Sequence, residues 1–166
     1  MAKKAQAIQK LFDEASLGAP ENAVGFLLWR VSHRYVREMD RALEPLGLTH
    51  LQFETLIQAA WLSRSGDLVT QSDLARFGEI HPMQTSQMLK TLEAKGLIAR
   101  VASESDRRAK HVQVTAPGLG ALRRSLPLVL DVQVRFFGDE GRVGGTLLAA
   151  LRELDRASGQ DGEMPE

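Results

Sequence analysis

Residues 70–115 read TQSDLARFGEIHPMQTSQMLKTLEAKGLIARVASESDRRAKHVQVT, and the changes of period inside this stretch decide the fold. Thr70 with Asp73 three positions on marks a helix start, because both side chains can satisfy backbone N–H groups that have no partner in a first turn. Leu74 and Phe77 are expected to face inward, and Gly78 to permit the turn that ends this short helix. Pro82 suits the first turn of a second helix, where its missing N–H costs little. In that helix Thr85, Met88, Leu89 and Leu92 fall at i, i+3, i+4 and i+7, which leaves Gln84, Ser86, Gln87, Lys90 and Thr91 pointing elsewhere. Gly96 ends it as a C′ glycine does. Leu97 to Ala102 and Lys110 to Val114 then read as two half-buried antiparallel strands, with Val112 and Val114 alternating against His111 and Gln113. The seven residues between them are polar and hold Asp106, Arg107 and Arg108. Two short helices and a ribbon with a charged tip are the layout of a winged helix-turn-helix.

Outward from this core the chain is helical. Ile8, Leu11, Phe12 and Ala15 have the spacing of a short amphipathic helix that needs a partner surface. A long helix is expected from about Asn22 to Leu43, with Leu27, Val31, Tyr35, Met39 and Leu43 four apart and Pro45 and Gly47 closing it. Thr49 and Gln52 form a capping-box pattern ahead of a helix to about Trp61, and the polar run Ser63 to Leu68 reads as a loop. Thr115 and Pro117 start another long helix to about Phe137, which Pro127 is expected to break or bend. Its leucines and valines occupy more than one side, and such a helix is rarely left facing water. A last helix carries Leu147, Leu148, Leu151 and Leu154, and the tail 159–166 is expected to be disordered. The fold class is mainly α with a small β component: N-terminal helices over 1–47, a winged helix-turn-helix with a two-stranded wing over 48–115, and C-terminal helices over 116–158.

Composition narrows the function. A 43% hydrophobic and 25% charged chain is that of a soluble globular protein, with no apolar run long enough to cross a bilayer and an N-terminus too polar for a signal peptide. The cytoplasm is the expected compartment. The absence of cysteine excludes disulfides, thiolate metal sites and thiol redox sensing. No cofactor, metal or catalytic residue is expected: there is no nucleophile elbow and no phosphate loop, and His33, His50, His81 and His111 are scattered. The net charge is zero, yet Ala75 to Val114 holds seven positive against four negative side chains, a local +3 that a dimer would present twice.

Leu74-Ala75, then Leu92-Glu93-Ala94-Lys95-Gly96-Leu97-Ile98-Ala99-Arg100, then Asp106-Arg107-Arg108-Ala109-Lys110, with Thr115 and Gly118, together resemble the MarR family of transcriptional regulators over roughly Gly25 to Leu154. The resemblance implies a homodimer joined through its N- and C-terminal helices, binding pseudo-palindromic double-stranded operators and often releasing them when a small, frequently phenolic, ligand binds. By the same similarity Asp106 orients, and Arg107 or Arg108 enters the minor groove. Gln87, Lys90 and His81-Pro82-Met83 depart from the family pattern, so the operator sequence cannot be borrowed from relatives.

The chemistry is consistent with that. A helix fits the major groove, where a glutamine can pair bidentately with adenine and a lysine can meet guanine or phosphate, so the reading set is Gln84, Thr85, Ser86, Gln87, Lys90 and Thr91. At the wing, Asp106, Arg107, Arg108 and Lys110 can use the enhanced negative potential of a narrow minor groove. Trp29, Arg30 and His33 on one helix, with His50, Phe53 and Trp61 on the next, are candidates to hold a carboxylated aromatic effector. The rival reading is a winged-helix module that binds another protein; only phosphate binding weakens steeply with salt.

Overall fold

The computed structural model describes residues 2–14, 19–102 and 110–160. Seven α-helices and three strands run α1 (Ala2–Glu14), α2 (Val24–Leu43), α3 (His50–Leu62), β1 (Val69–Thr70), α4 (Gln71–Phe77), α5 (Pro82–Ala94), β2 (Ile98–Ala102), β3 (Lys110–Val114), α6 (Ala116–Phe137) and α7 (Thr146–Gln160) among these residues. The chain forms two compact units, Met1–Glu38 and Met39–Glu166. The first consists of α1 and most of α2, and none of its described residues is buried.

The second unit contains the core. Met39, Leu43, Leu56, Leu74, Leu89, Leu92 and Val132 are fully buried, which ties the end of α2 to α3, α4, α5 and α6 in one apolar cluster. The local signals read from the sequence set the frame. Thr49 accepts from the Gln52 N–H at 3.3 Å while the Gln52 amide oxygen accepts from the Thr49 N–H, closing a capping box on α3. Thr70 and Asp73 close the same device on α4. At the end of α5, Gly96 takes a left-handed φ of 68°, the Leu97 N–H donates to the Leu92 carbonyl at 2.9 Å and the Gly96 N–H to the Glu93 carbonyl at 2.8 Å. This Schellman motif turns the chain directly into β2.

The sheet has three antiparallel strands in the order β1-β3-β2, with Val69 opposite Val112 and Ile98 opposite Val114. The third strand is a correction to the two-stranded expectation. Val69–Thr70 is too short to show a period of two, and it exists because β3 offers a free edge to the residue that precedes the α4 cap.

Other differences also have local causes. Phe77 is 51% exposed rather than inward. The seven-residue α4 fills its inner side with Leu74 and Ala75, and Phe77 at its last position lies instead along a surface groove with Leu62, Leu68 and Val69. Gly78 has an ordinary φ of −90°, and the left-handed residue of that turn is Glu79, at 49°. The space at Gly78 is shared with α3, because a Cβ there would stand 2.7 Å from the Gln58 Oε1 and the Gln58 side chain would have to move. Pro127 does not break α6. It sits on the exposed side, where water can satisfy the carbonyl one turn back, while Leu122, Ser125, Val129 and Val132 hold the opposite side in the core. Helix α7 runs through Gly159 and Gln160, into the stretch expected to be disordered; residues 161–166 lie outside the described residues.

Candidate nucleic-acid interface

Helix α5 is two-sided. Thr85, Leu89 and Leu92 are buried, whereas Met83, Gln84, Gln87 and Lys90 are exposed and Ser86 is half-buried. Its start is fixed by Pro82 at the first turn and by the His81 ring, whose Nδ1 accepts from the Met83 N–H at 3.3 Å. The Gln71 amide donates to the Pro82 carbonyl at 3.3 Å, so α4 steadies the same end.

Two residues of the expected reading set face inward. Thr85 is 2% exposed and directs its hydroxyl to the His81 carbonyl, because it stands on the same stripe as Leu89 and Leu92. Thr91 is half-buried, donates to the Met88 carbonyl at 2.8 Å and lies within 3.5 Å of the Gln52 amide on α3. Neither hydroxyl is presented outward. The available polar edge is therefore Gln84, Ser86, Gln87 and Lys90.

The far end of α5 is locked to its surroundings through the side chains of Lys95, Arg100 and Thr115. The Lys95 ammonium donates to the Gly47 carbonyl at 2.5 Å and to the Gln52 amide oxygen at 2.7 Å. Arg100 on β2 donates through Nε and Nη2 to one oxygen of Glu93, at 2.9 and 2.6 Å, and this contact holds the Glu93 carboxyl below its ordinary range. The Thr115 hydroxyl donates to the Gly96 carbonyl at 2.6 Å and accepts from the Gly118 N–H at 3.1 Å, capping α6 against the same turn. The approach is so close that a Cβ on Gly118 would lie 2.1 Å from the Leu97 carbonyl oxygen. At α4 the Thr70 hydroxyl, more than Arg76, lowers the Asp73 carboxyl. The sequence reading missed the roles of Lys95, Arg100 and Gly118 in this frame, because each partner lies on another element and no short-range pattern announces it.

The wing is described at its base only. Lys110 opens β3 opposite Ala102, exposed, and its charge also favours the ionised form of Glu93. Asp106, Arg107 and Arg108 lie outside the described residues.

The six candidate effector residues fall in two groups. In the first unit Trp29 stacks near Phe26 with ring centroids 6.2 Å apart and lies 4.5 Å from the His33 ring, while the Arg30 guanidinium sits 5.5 Å from the Phe26 centroid. The His33 Nδ1 lies 2.7 Å from the Trp29 carbonyl. In the second unit Phe53 is buried in the core, so its ring fills packing space rather than walling a cleft. His50 lies beside Asp40, which accepts from its backbone N–H at 2.7 Å, and Trp61 is exposed with the Arg64 guanidinium 3.9 Å above its ring. A cavity of about 590 Å³ is walled by Ser63, Arg64, Leu68, His111, Gln113 and Leu119 among others, and by none of the six. Among the described residues no group of acidic and histidine side chains could hold a metal ion, and no helix is long and apolar enough to cross a membrane.

A model of the MarR family matches residues 48–110. An uncharacterised HTH-type transcriptional regulator, YdcH of Bacillus subtilis strain 168, is 32% identical over 140 residues, covering 84% of this chain and 95% of that protein. The HTH-type transcriptional repressor Rv2887 of Mycobacterium tuberculosis strain H37Rv is 34% identical over 117 residues, covering 70% of this chain and 81% of that protein. Among solved structures, CouR from Rhodococcus jostii RHA1 bound to p-coumaroyl-CoA is similar with a TM-score of 0.71 at 26% identity, over 89% of this chain and 98% of that one.

Proposed function

The chain belongs to the MarR family, and on that premise we propose that it acts as a homodimeric repressor that reads a pseudo-palindromic operator with α5 and releases it when a small aromatic ligand binds. It is a DNA-binding transcriptional regulator, and its relatives are regulators rather than enzymes. Its place of action on this reading is the cytoplasm, with the chromosome.

The observation that carries the reading is the two-sidedness of α5 on a locked frame. A helix entering the major groove needs an outward polar edge on a support that does not yield, and Gln84, Ser86, Gln87 and Lys90 stand on such a support. Glutamine offers both donor and acceptor to adenine, and Lys90 suits guanine or phosphate. Asp106, Arg107, Arg108 and Lys110 then reach the adjacent minor groove, with Asp106 orienting one arginine. Residues 1–47 and 116–158 supply the dimer contacts, and 48–115 the DNA contacts. Apolar side chains left exposed on α1, α2, α6 and α7 favour this assignment, since a second copy would cover them. Two α5 helices about 34 Å apart would meet successive major grooves, so the dimer's symmetry implies a symmetric site.

The aromatic group around Trp29, with Arg30 and His33 beside it, favours a planar anionic effector, as does the likeness to a protein that binds p-coumaroyl-CoA. A ligand that binds better to a spacing of α5 helices unsuited to DNA would release the operator by differential affinity.

Mobility-shift titration tests the reading. Gln87→Ala and Lys90→Ala are expected to weaken operator binding tenfold or more, and Lys90→Ala to reduce the slope of log affinity against log salt by about one. Unchanged affinity and slope in both variants would overturn it. A complex insensitive to salt would favour a protein partner instead.

A further inference from the structure

The outward edge of α5 contains an apolar member that the polar reading set leaves unused. Met83 is 77% exposed, more than any other large hydrophobic residue described between Leu48 and Val114. Exposure alone argues nothing, since single apolar side chains are common on surfaces. Position does. At about 100° per residue, Met83, Gln87 and Lys90 share one stripe of the helix within roughly 60°, and the buried stripe of Thr85, Leu89 and Leu92 lies about half a turn away. Met83 therefore extends the Gln87–Lys90 edge to the end of the helix that leads into a groove in helix-turn-helix docking.

The backbone at Met83 is held in place. Pro82 fixes the preceding φ, the Pro82 carbonyl accepts from Gln71, and the Met83 N–H donates to His81. The side chain beyond it is unbranched and polarizable, able to fit a shallow apolar surface closely. In the major groove the apolar feature on display is the C5-methyl group of thymine.

We propose that Met83 packs on a thymine methyl in each half-site and is a specificity-determining residue of the operator contact. This rests on α5 being the DNA-reading helix, and it adds a preference that the glutamines do not supply.

The test uses the full-length protein and a duplex enriched by it from a random pool. Each thymine of that duplex is replaced in turn by uracil, which removes only the methyl group. The wild type is expected to lose about fourfold in affinity at one symmetry-related pair of positions, the factor that corresponds to burying one methyl-sized group. Met83→Ala and Met83→Gln are expected to bind the thymine duplex about fourfold more weakly and to show no further loss on the uracil substitution. Thermal unfolding of both variants is expected to match the wild type, because the side chain is exposed. A uracil penalty that is the same in wild type and variants, or no position at which uracil matters, would overturn the proposal while leaving α5 as the reader. Failure to enrich any duplex would overturn the reading beneath it, and the proposal with it.

Discussion

The winged-helix region from Leu48 to Val114 and the helices outside it place similar apolar side chains in opposite ways. In the first, the leucines at helical spacing vanish from the surface: Leu56, Leu74, Leu89 and Leu92 are all but inaccessible. In the second, Ile8, Leu11, Phe12, Leu28, Leu130, Leu151 and Leu154 follow equally regular spacings and stay exposed. Helix α2 shows both behaviours, since its four-residue stripe is exposed at Leu27 and Val31 and buried at Met39 and Leu43. Amphipathic periodicity thus says that a face needs cover, and only packing says whether the same chain provides it. The winged-helix region hides its own leucines, with Met39 and Leu43 of α2 and Leu122, Val129 and Val132 of α6 completing the core, and the outer helices keep apolar faces exposed that a second copy covers on the proposed reading.

The contrast can be broken most forcefully from inside. Leu92→Ala deletes a side chain with no accessible surface and is expected to cost about 2–5 kcal/mol in denaturant unfolding. The same change at Leu154 should leave the unfolding of a dissociated chain within about 0.5 kcal/mol, because that side chain is more than half exposed. Equal losses at both positions would erase the distinction.

Gly118→Ala comes next. Its methyl would collide with the Leu97 carbonyl, and the joint between the wing and α6 must open to admit it, at about 1–3 kcal/mol by thermal or chemical unfolding. Leu154→Glu addresses the other region: a carboxylate on the uncovered face is expected to weaken self-association tenfold or more in sedimentation equilibrium, with the helical content of each chain retained. Removing a cap by Thr49→Ala or Thr70→Ala should cost about 1 kcal/mol each, read as a lower unfolding midpoint.

The smallest expected effect is a pH dependence within the winged-helix region. Burial, opposed by the neighbouring His50, raises the Glu54 carboxyl above its ordinary value. The folded state therefore holds that proton more readily than the unfolded chain. Its penalty is complete above the folded pKa and relieved as pH falls toward the unfolded value near 4.5. Glu54→Gln should flatten the stability profile across that window, as measured by denaturant midpoints at successive pH values. A profile identical to wild type would contradict the assignment.

How much of this was legible in the sequence follows from range. The two capping boxes, the Gly96 turn and the inward stripe of α5 are set by short-range spacing along the chain, and each is legible in the sequence. Phe77, Gly78 and Val69 were misread or missed because their environments come from Leu68, Gln58 and Val112, on other elements. Thr91 shows the same limit at the interface, where residue type suits it to DNA and packing turns it inward, whereas for Thr85 the stripe it shares with Leu89 and Leu92 outweighs its residue type. Of the break or bend expected at Pro127, the break does not occur, because the local rule has no knowledge of the core residues on both sides of it.

The central claim, that a covered reading head is carried by helices awaiting a second copy, is tested most directly by the mass of the protein–DNA complex. Light scattering on a complex with an enriched duplex of about two helical turns should give two chains per duplex, with Leu154→Glu losing both the pairing and most of the affinity. One chain per duplex, bound as tightly by Leu154→Glu as by the wild type, would contradict the account.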